Sequence, residues 1–308
     1  MSDRVKSKIP FVGLHAHSVA GSLFDALGYP NEHMDFAYSN GCDALALTDH
    51  GNANGLSHQV LHAKKMKEEG RNFKPVFGTE AYFIPSIKEW REEYKRAMED
   101  KKRAKTLGST LSGATVEDEN SSKKVQDVLR RRRHLILLAQ SQEGLQNIFK
   151  LISESYKSEN FYRYPRMDYD LLAKYSEGVI AASACLGGVY AGNYWENREN
   201  GEEAVLDAMR ETTRKMISVF GDRWYGELQW NNVPEQHQLN QYIIKMHEEF
   251  GIGLISTADS HYPSRDAWKD RELYKRLGWL GKAAPSYEST ELPIDVDEIG
   301  YELYPKNG

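Results

Sequence analysis

The chain has 308 residues, 40% of them hydrophobic and 28% charged, with a formal net charge of −5. That length supports one large α/β domain or two ordinary ones with ample core. No apolar run approaches the roughly 18–20 residues that cross a bilayer, so no membrane partner is expected, and the charge gives no overall positive field for nucleic acid.

The first apolar run, "FVGLHAH" (11–17), ends on His15 and His17. On a strand these two project from the same face. Two neutral imidazoles so placed can share a cation, whereas two protonated ones repel; a pair of surface or hydrogen-bonded histidines is the alternative. Asp25 follows eight residues after His17. The second strand, "DALALTDH" (43–50), ends on His50, and an amphipathic helix pattern covers 55–70. The third, "KPVFGTEAYF" (74–83), carries Glu80. Residues 86–133 then break the pattern, being almost all charged or small, and read as a solvated helix, a flexible loop and a run of four cations, Arg130 to Arg133.

The fourth strand, "HLILLAQ" (134–140), begins rather than ends on a metal-competent residue, His134. A helix pattern at 141–158 follows, then "GVIAASA" (178–184), which runs into Cys185. Cys42 and Cys185 are the only cysteines. They are too few for a disulfide framework, and the N-terminus "MSDRVKSKIP" lacks a signal peptide's apolar stretch, so a reducing cytoplasmic setting is expected. Helix patterns at 202–221 and 234–251 flank the strand "WYGELQW" (224–230), and the last strand, "GIGLISTAD" (251–259), leads into Asp259 and His261.

Strands alternating with helices imply right-handed crossovers and a parallel sheet. About seven such units suit a closed β/α barrel; no GxGxxG or GxxxxGK[ST] loop supports an open nucleotide-binding sheet. Barrel active sites are built at the carboxyl ends of the strands. His50, Glu80, Cys185, Asp259 and His261 would all gather there, though each has an ordinary structural reading of its own. His134, at a strand start, falls on the wrong rim by this logic.

The motifs HxH with Asp25, "TDH", "GTE", "HLILLA", "CLGG" and "DSH" together resemble the polymerase and histidinol phosphatase (PHP) family of metal-dependent phosphoesterases. Phrases such as "GNANGL", "KPVFGTEAY", "NFYRYPRMD" and "FGDRWYGELQW" are most similar to the N-terminal PHP domain of bacterial DNA polymerase III alpha subunits. The resemblance runs from about residue 9 to about 280 and implies a distorted (β/α)7 barrel over 1–285, with 86–133 as a charged insertion and 286–308 as a tail or linker. It implies two to three divalent ions, zinc foremost with manganese or iron as alternatives. His15, His17 and Asp259 would hold one, His134 and Cys185 a second bridged by Glu80, and Asp25, His50 and His261 a third. Asp25 lies one residue further from HxH than the family pattern.

The implied activity is phosphodiester hydrolysis, a 3′–5′ exonuclease acting on a single-stranded DNA 3′ end, with Glu80 and Asp259 at the reacting centre. Arg163 and Arg166 in "YRYPRMD" are candidates for gripping substrate phosphate, since guanidinium pairs with it bidentately; pinning a loop is their alternative. A polymerase body or other replisome subunits are the implied partners. Asp295 and Asp297 have the spacing of a polymerase pair but follow a proline in a short tail, so no polymerisation is expected of this chain alone. A non-catalytic metal-holding scaffold and a small-molecule phosphatase of the histidinol-phosphate type stay open.

Overall fold

The strand candidates form one sheet that curls round on itself. A computed structural model describes residues 4, 11–108, 116–278 and 302–306; Asp295 and Asp297 lie outside them. The ring is made of β1 (Ala44–Leu47), β2 (Lys74–Phe83), β3 (Arg133–Ala139), β6 (Val179–Ala182), β7 (Trp224–Gln229) and β8 (Gly253–Thr257), with β4 (Phe161–Tyr162) and β5 (Tyr164–Met167) branching as a hairpin from the end of β2. Residues 13–17 are extended but too irregular to form a ladder. They bond to β1 through Ala46 N–Gly13 O (2.7 Å), and past β8 through His17 N–Ser260 O (2.7 Å) and Ser260 N–His15 O (3.1 Å). This segment brings the two ends of the curled sheet together as a seventh member. The expected distorted (β/α)7 barrel is the architecture observed.

The distortion has one cause. β3 runs antiparallel to both of its neighbours, β2 and β6, while β1–β2, β6–β7 and β7–β8 are parallel. The insertion accounts for this reversal. Instead of a solvated helix and a flexible loop it is a helical hairpin, α3 (Ile87–Gly108) and α4 (Val116–Arg130), with its own apolar seam of Ile84, Ile87, Trp90, Ala97, Val125, Val128 and Leu129. Part of the proposed loop, 109–115, lies outside the described residues. Two antiparallel helices return the chain to the rim it left, so β3 starts where β2 ends. The all-parallel sheet implied by simple alternation is therefore corrected at β3, and His134 is carried to the same rim as the other candidates.

Alternation along the strands separates two cores. The outward residues Ala81, Leu135, Leu137, Val179, Ala181 and Trp224 pack under the surrounding helices, among them α5 (Gln142–Ser155), α8 (Glu202–Phe220) and α9 (Pro234–Phe250). The inward face holds a smaller layer, with Ala46, Ile136, Leu138 and Ala182 packed against Val76, Ile180, Tyr225 and Ile255. Two residues along the same face from members of this layer come His134, Glu227 and Thr257, so an apolar floor underlies a polar mouth. The described C-terminal residues 302–306 lie against the body, where His261 N and Tyr262 N both donate to Leu303 O. No helix among the described residues is long and apolar enough to cross a membrane.

Candidate metal centre

Strand ends and the turns after them carry the polar mouth. Asp49 of "TDH" is a fastener rather than a ligand candidate: its carboxylate accepts from Ser18 N (2.7 Å), Ser18 Oγ (3.0 Å) and Ser22 Oγ (2.9 Å), tying the loop after HxH to the end of β1. Gly51 follows with φ +67°, and a Cβ there would meet Pro165 at 2.9 Å. In "CLGG" the chain turns so tightly that a Cβ on Gly188 would fall 2.0 Å from Ser183 O. That turn aims Cys185 at His134, with Sγ 3.7 Å from Nδ1. Ala184 (φ 62°) and Asp259 (φ 48°) are both non-glycine residues in the left-handed region. Such strain costs about 1–3 kcal/mol each and is typically kept at functional sites.

The nine proposed ligands converge. His15 Nε2, His17 Nε2 and Asp259 Oδ1 lie 3.0, 3.1 and 3.2 Å from one another. Two donors each about 2.0–2.2 Å from a common ion have about this separation. Glu80, fully buried, splits its carboxylate: Oε1 lies 2.7 Å from His134 Nδ1, and Oε2 lies 2.7 Å from His50 Nδ1 and 3.2 Å from His17 Nε2. Each oxygen faces a different imidazole group, as a bridging ligand requires. Asp25 Oδ2 approaches His50 Nε2 at 2.9 Å and His261 Nε2 at 3.5 Å, so its extra residue of spacing does not remove it from the group.

The donor set fits cations better than protons. Both Glu80 oxygens, Asp259 Oδ1 and His50 Nδ1 are buried without a hydrogen-bond partner of good geometry, a costly state unless something else satisfies them. Three groups of donors, His15–His17–Glu80, His50–Glu80–His134 and His17–His50–His261, are each close enough to hold one ion. Burial and the nearby His50 and His261 push His17 down to about 3, leaving it neutral and ligand-competent. Burial opposes charge on His15, but Asp259, Glu227 and Glu80 outweigh it and raise its pKa well above the free value. Burial also resists ionisation of Glu80, yet His134, His50 and His15 hold its carboxyl well below the usual range. For Cys185, burial and then the Asp259 and Glu80 carboxylates push the thiol well up. A divalent cation among those carboxylates would reverse that balance in favour of thiolate.

Three supporting residues escaped the sequence reading. Glu227, in the middle of β7, accepts from His15 Nδ1 (2.7 Å), Thr257 Oγ1 (2.5 Å) and Gln229 Nε2 (2.9 Å), fixing which nitrogen of His15 faces the cluster. Its signal was an acid on the inward face of an apolar strand, "WYGELQW". Arg271, in α10 (Trp268–Leu277), grips Asp25 through Nη2 (2.9 Å) and the Asp25 carbonyl through Nε (3.0 Å). Tyr82, two residues beyond Glu80 on β2, stacks on His50 with centroids 6.0 Å apart.

The two arginines proposed for substrate phosphate separate. Arg166 is fully buried and donates to the carbonyls of Leu129 (2.5 Å), Tyr162 (2.9 Å), Tyr164 (3.2 Å) and Arg131 (3.2 Å), with its guanidinium 4.2 Å over the Trp90 ring. Burial, then repulsion from Arg132, lower its pKa to about 10. It clamps the insertion to the barrel, and its proposed phosphate role is corrected to that of a pin. Arg163 is exposed, at the turn of the β4–β5 hairpin with φ 60°.

The profile of the PHP domain matches residues 13–231, the span that supplies seven of these nine residues. The chain belongs to the PHP domain family. This PHP domain is 36% identical over 252 residues to DNA polymerase III subunit alpha of Aquifex aeolicus, covering 82% of this chain and 18% of that one. It is 32% identical over 290 residues to the Borreliella burgdorferi subunit, covering 94% and 21%. The chain thus spans about a fifth of the length of the curated relatives it matches. Among solved structures, an amidohydrolase from Chromobacterium violaceum aligns with a TM-score of 0.40 at 14% identity, covering 85% of this chain and 96% of that one.

Proposed function

We propose that this PHP domain is a metal-dependent phosphoesterase that hydrolyses phosphodiesters as a 3′–5′ exonuclease module of a DNA polymerase III alpha-type enzyme. The observation that carries the reading is the split carboxylate of Glu80, fully buried with each oxygen turned to a different histidine group. In this reading His15, His17 and Asp259 would hold one ion, His134 and Cys185 with Glu80 a second, and Asp25, His50 and His261 a third. Mixed nitrogen, oxygen and sulfur donors suit zinc, with manganese or iron as alternatives. Divalent ions bound there would supply Lewis-acid chemistry, activating water and offsetting charge on the phosphoryl and leaving oxygens. The chain's own part is to fix the donors from below through Glu227, to hold Asp25 through Arg271, and to keep His17 unprotonated. The polymerase body is the proposed partner, and a DNA 3′ end the proposed substrate.

The test is hydrolysis of a 3′-labelled single strand and of p-nitrophenyl phosphate, each with and without a chelator, alongside elemental analysis. Two or three transition-metal ions per chain and chelator-sensitive release of nucleotides from the 3′ end are expected. Preference for the monoester would favour the small-molecule phosphatase. A metal-replete protein without turnover on either substrate would overturn the hydrolase reading in favour of a scaffold.

A further inference from the structure

The run Arg130 to Arg133 crosses from the last residue of α4 to the first of β3, and its cations part company there. Arg131 pairs bidentately with Glu93 of the helical hairpin (2.6 and 3.0 Å), and Arg133 pairs with Glu196 of α7 (Val189–Asn197). Arg132 lies between them, two residues before the ligand candidate His134, and both side chains approach the Tyr82 ring. It has no carboxylate partner among the described residues; its Nη1 donates to Arg130 O (3.1 Å), and its Nε is buried with no hydrogen-bond partner. Its guanidinium lies 3.9 Å over the Tyr164 ring and 5.2 Å from the Tyr82 centroid. Tyr82 in turn contacts the rings of both His50 and His134, with centroids 6.0 and 5.6 Å away. A cation with donors to spare is thus held one ring away from the cluster. The β4–β5 hairpin that carries Tyr164 also leaves Phe161 and Tyr162 each 39% exposed, Phe161 stacked on Tyr156 (centroids 5.5 Å) and Tyr162 tilted against Tyr94 (5.6 Å).

We propose that Arg132, braced by Tyr82 and Tyr164, grips the phosphate neighbouring the one that is cleaved. This rests on the hydrolase reading and gives it a substrate class: a single-stranded nucleic acid end with at least two phosphates, not a compound with one. The exposed sides of the hairpin's aromatic rings suit stacking of unpaired bases, which is tolerant of sequence. A cation held by ring faces and one backbone carbonyl rather than by a carboxylate keeps its remaining Nη donors for phosphate.

The experiment uses the zinc-loaded full chain and the variants Arg132→Gln and Arg132→Lys. Probes are a ten-nucleotide oligothymidylate and bis(p-nitrophenyl) phosphate, which carries a single phosphate. For Arg132→Gln, KM on the oligothymidylate should rise about ten-fold or more, as loss of a charge-assisted contact predicts, against a several-fold smaller effect on the single-phosphate probe. Arg132→Lys should recover part of the loss. Equal effects on the two probes, or none on either, would overturn the assignment. If the wild type cleaves neither, the hydrolase reading falls and the anisotropy of the fluorescein-labelled strand decides Arg132. Arg132→Gln should then bind about ten-fold more weakly, with a log–log salt slope shallower by about one. Unchanged affinity, or a wild type that does not bind the strand, overturns it.

Discussion

Glu227→Gln is the sharpest probe of the support beneath the cluster. The substitution keeps the size of a fully enclosed side chain that accepts from His15, Thr257 and Gln229. It removes the charge opposite His15 Nδ1, 2.7 Å away. A hydrogen bond to a charged group contributes about 1.5–3 kcal/mol and a neutral one about 0.5–1.5, so His15 loses roughly 1–1.5 kcal/mol of orientation. The change should weaken metal binding by about ten-fold, the lower end of the ~10–100-fold seen for partners behind a ligand. The amide nitrogen would also take the place of Glu227 Oε2, a buried atom with no partner, and an unsatisfied donor there costs about 1–3 kcal/mol of stability. Zinc competition against a chromophoric chelator on apo-protein measures the first effect and urea unfolding of the same samples the second. Zinc affinity unchanged in a variant that is merely less stable would refute the reasoning, leaving Glu227 a core polar residue.

Three further outcomes follow from the geometry. Glu80→Gln should lose at least one ion per chain by elemental analysis, and all hydrolysis, with circular dichroism unchanged, because a neutral amide cannot bridge two cations. Cys185→Ser should bind zinc about ten-fold more weakly while its apo form melts near the wild-type temperature; normal loading with earlier melting would make Cys185 a core residue only. Arg166→Met should cost at least about 3 kcal/mol in denaturant titration, since four carbonyls lose one buried donor group, with metal content per folded molecule retained. Stability within about 0.5 kcal/mol of wild type would mean those carbonyls find other partners.

The sequence by itself determined which nine residues are the ligand candidates and much of the strand order. HxH, "TDH", "GTE" and "DSH" are local signals: a metal-competent side chain at the end of an apolar run has few places to go once that run is buried on both faces. Hence β2 spans the residues its pattern proposes, and the nine candidates meet in one place. The direction of β3 needed the tertiary structure. Hydrophobic alternation has no sign, so "HLILLAQ" reads alike in either direction. Only the return path through the α3–α4 hairpin sets His134 beside Glu80 rather than at the opposite rim. The arginines were undecidable for a related reason. A guanidinium serves a carbonyl, a carboxylate, a ring or a phosphate equally well, and the sequence lists cations without their neighbours. Packing against Trp90 and four carbonyls makes Arg166 a pin, and pairing with Glu93 and Glu196 occupies Arg131 and Arg133. Arg132 stays beside the cluster, on two tyrosine rings, because nothing acidic reaches it among the described residues.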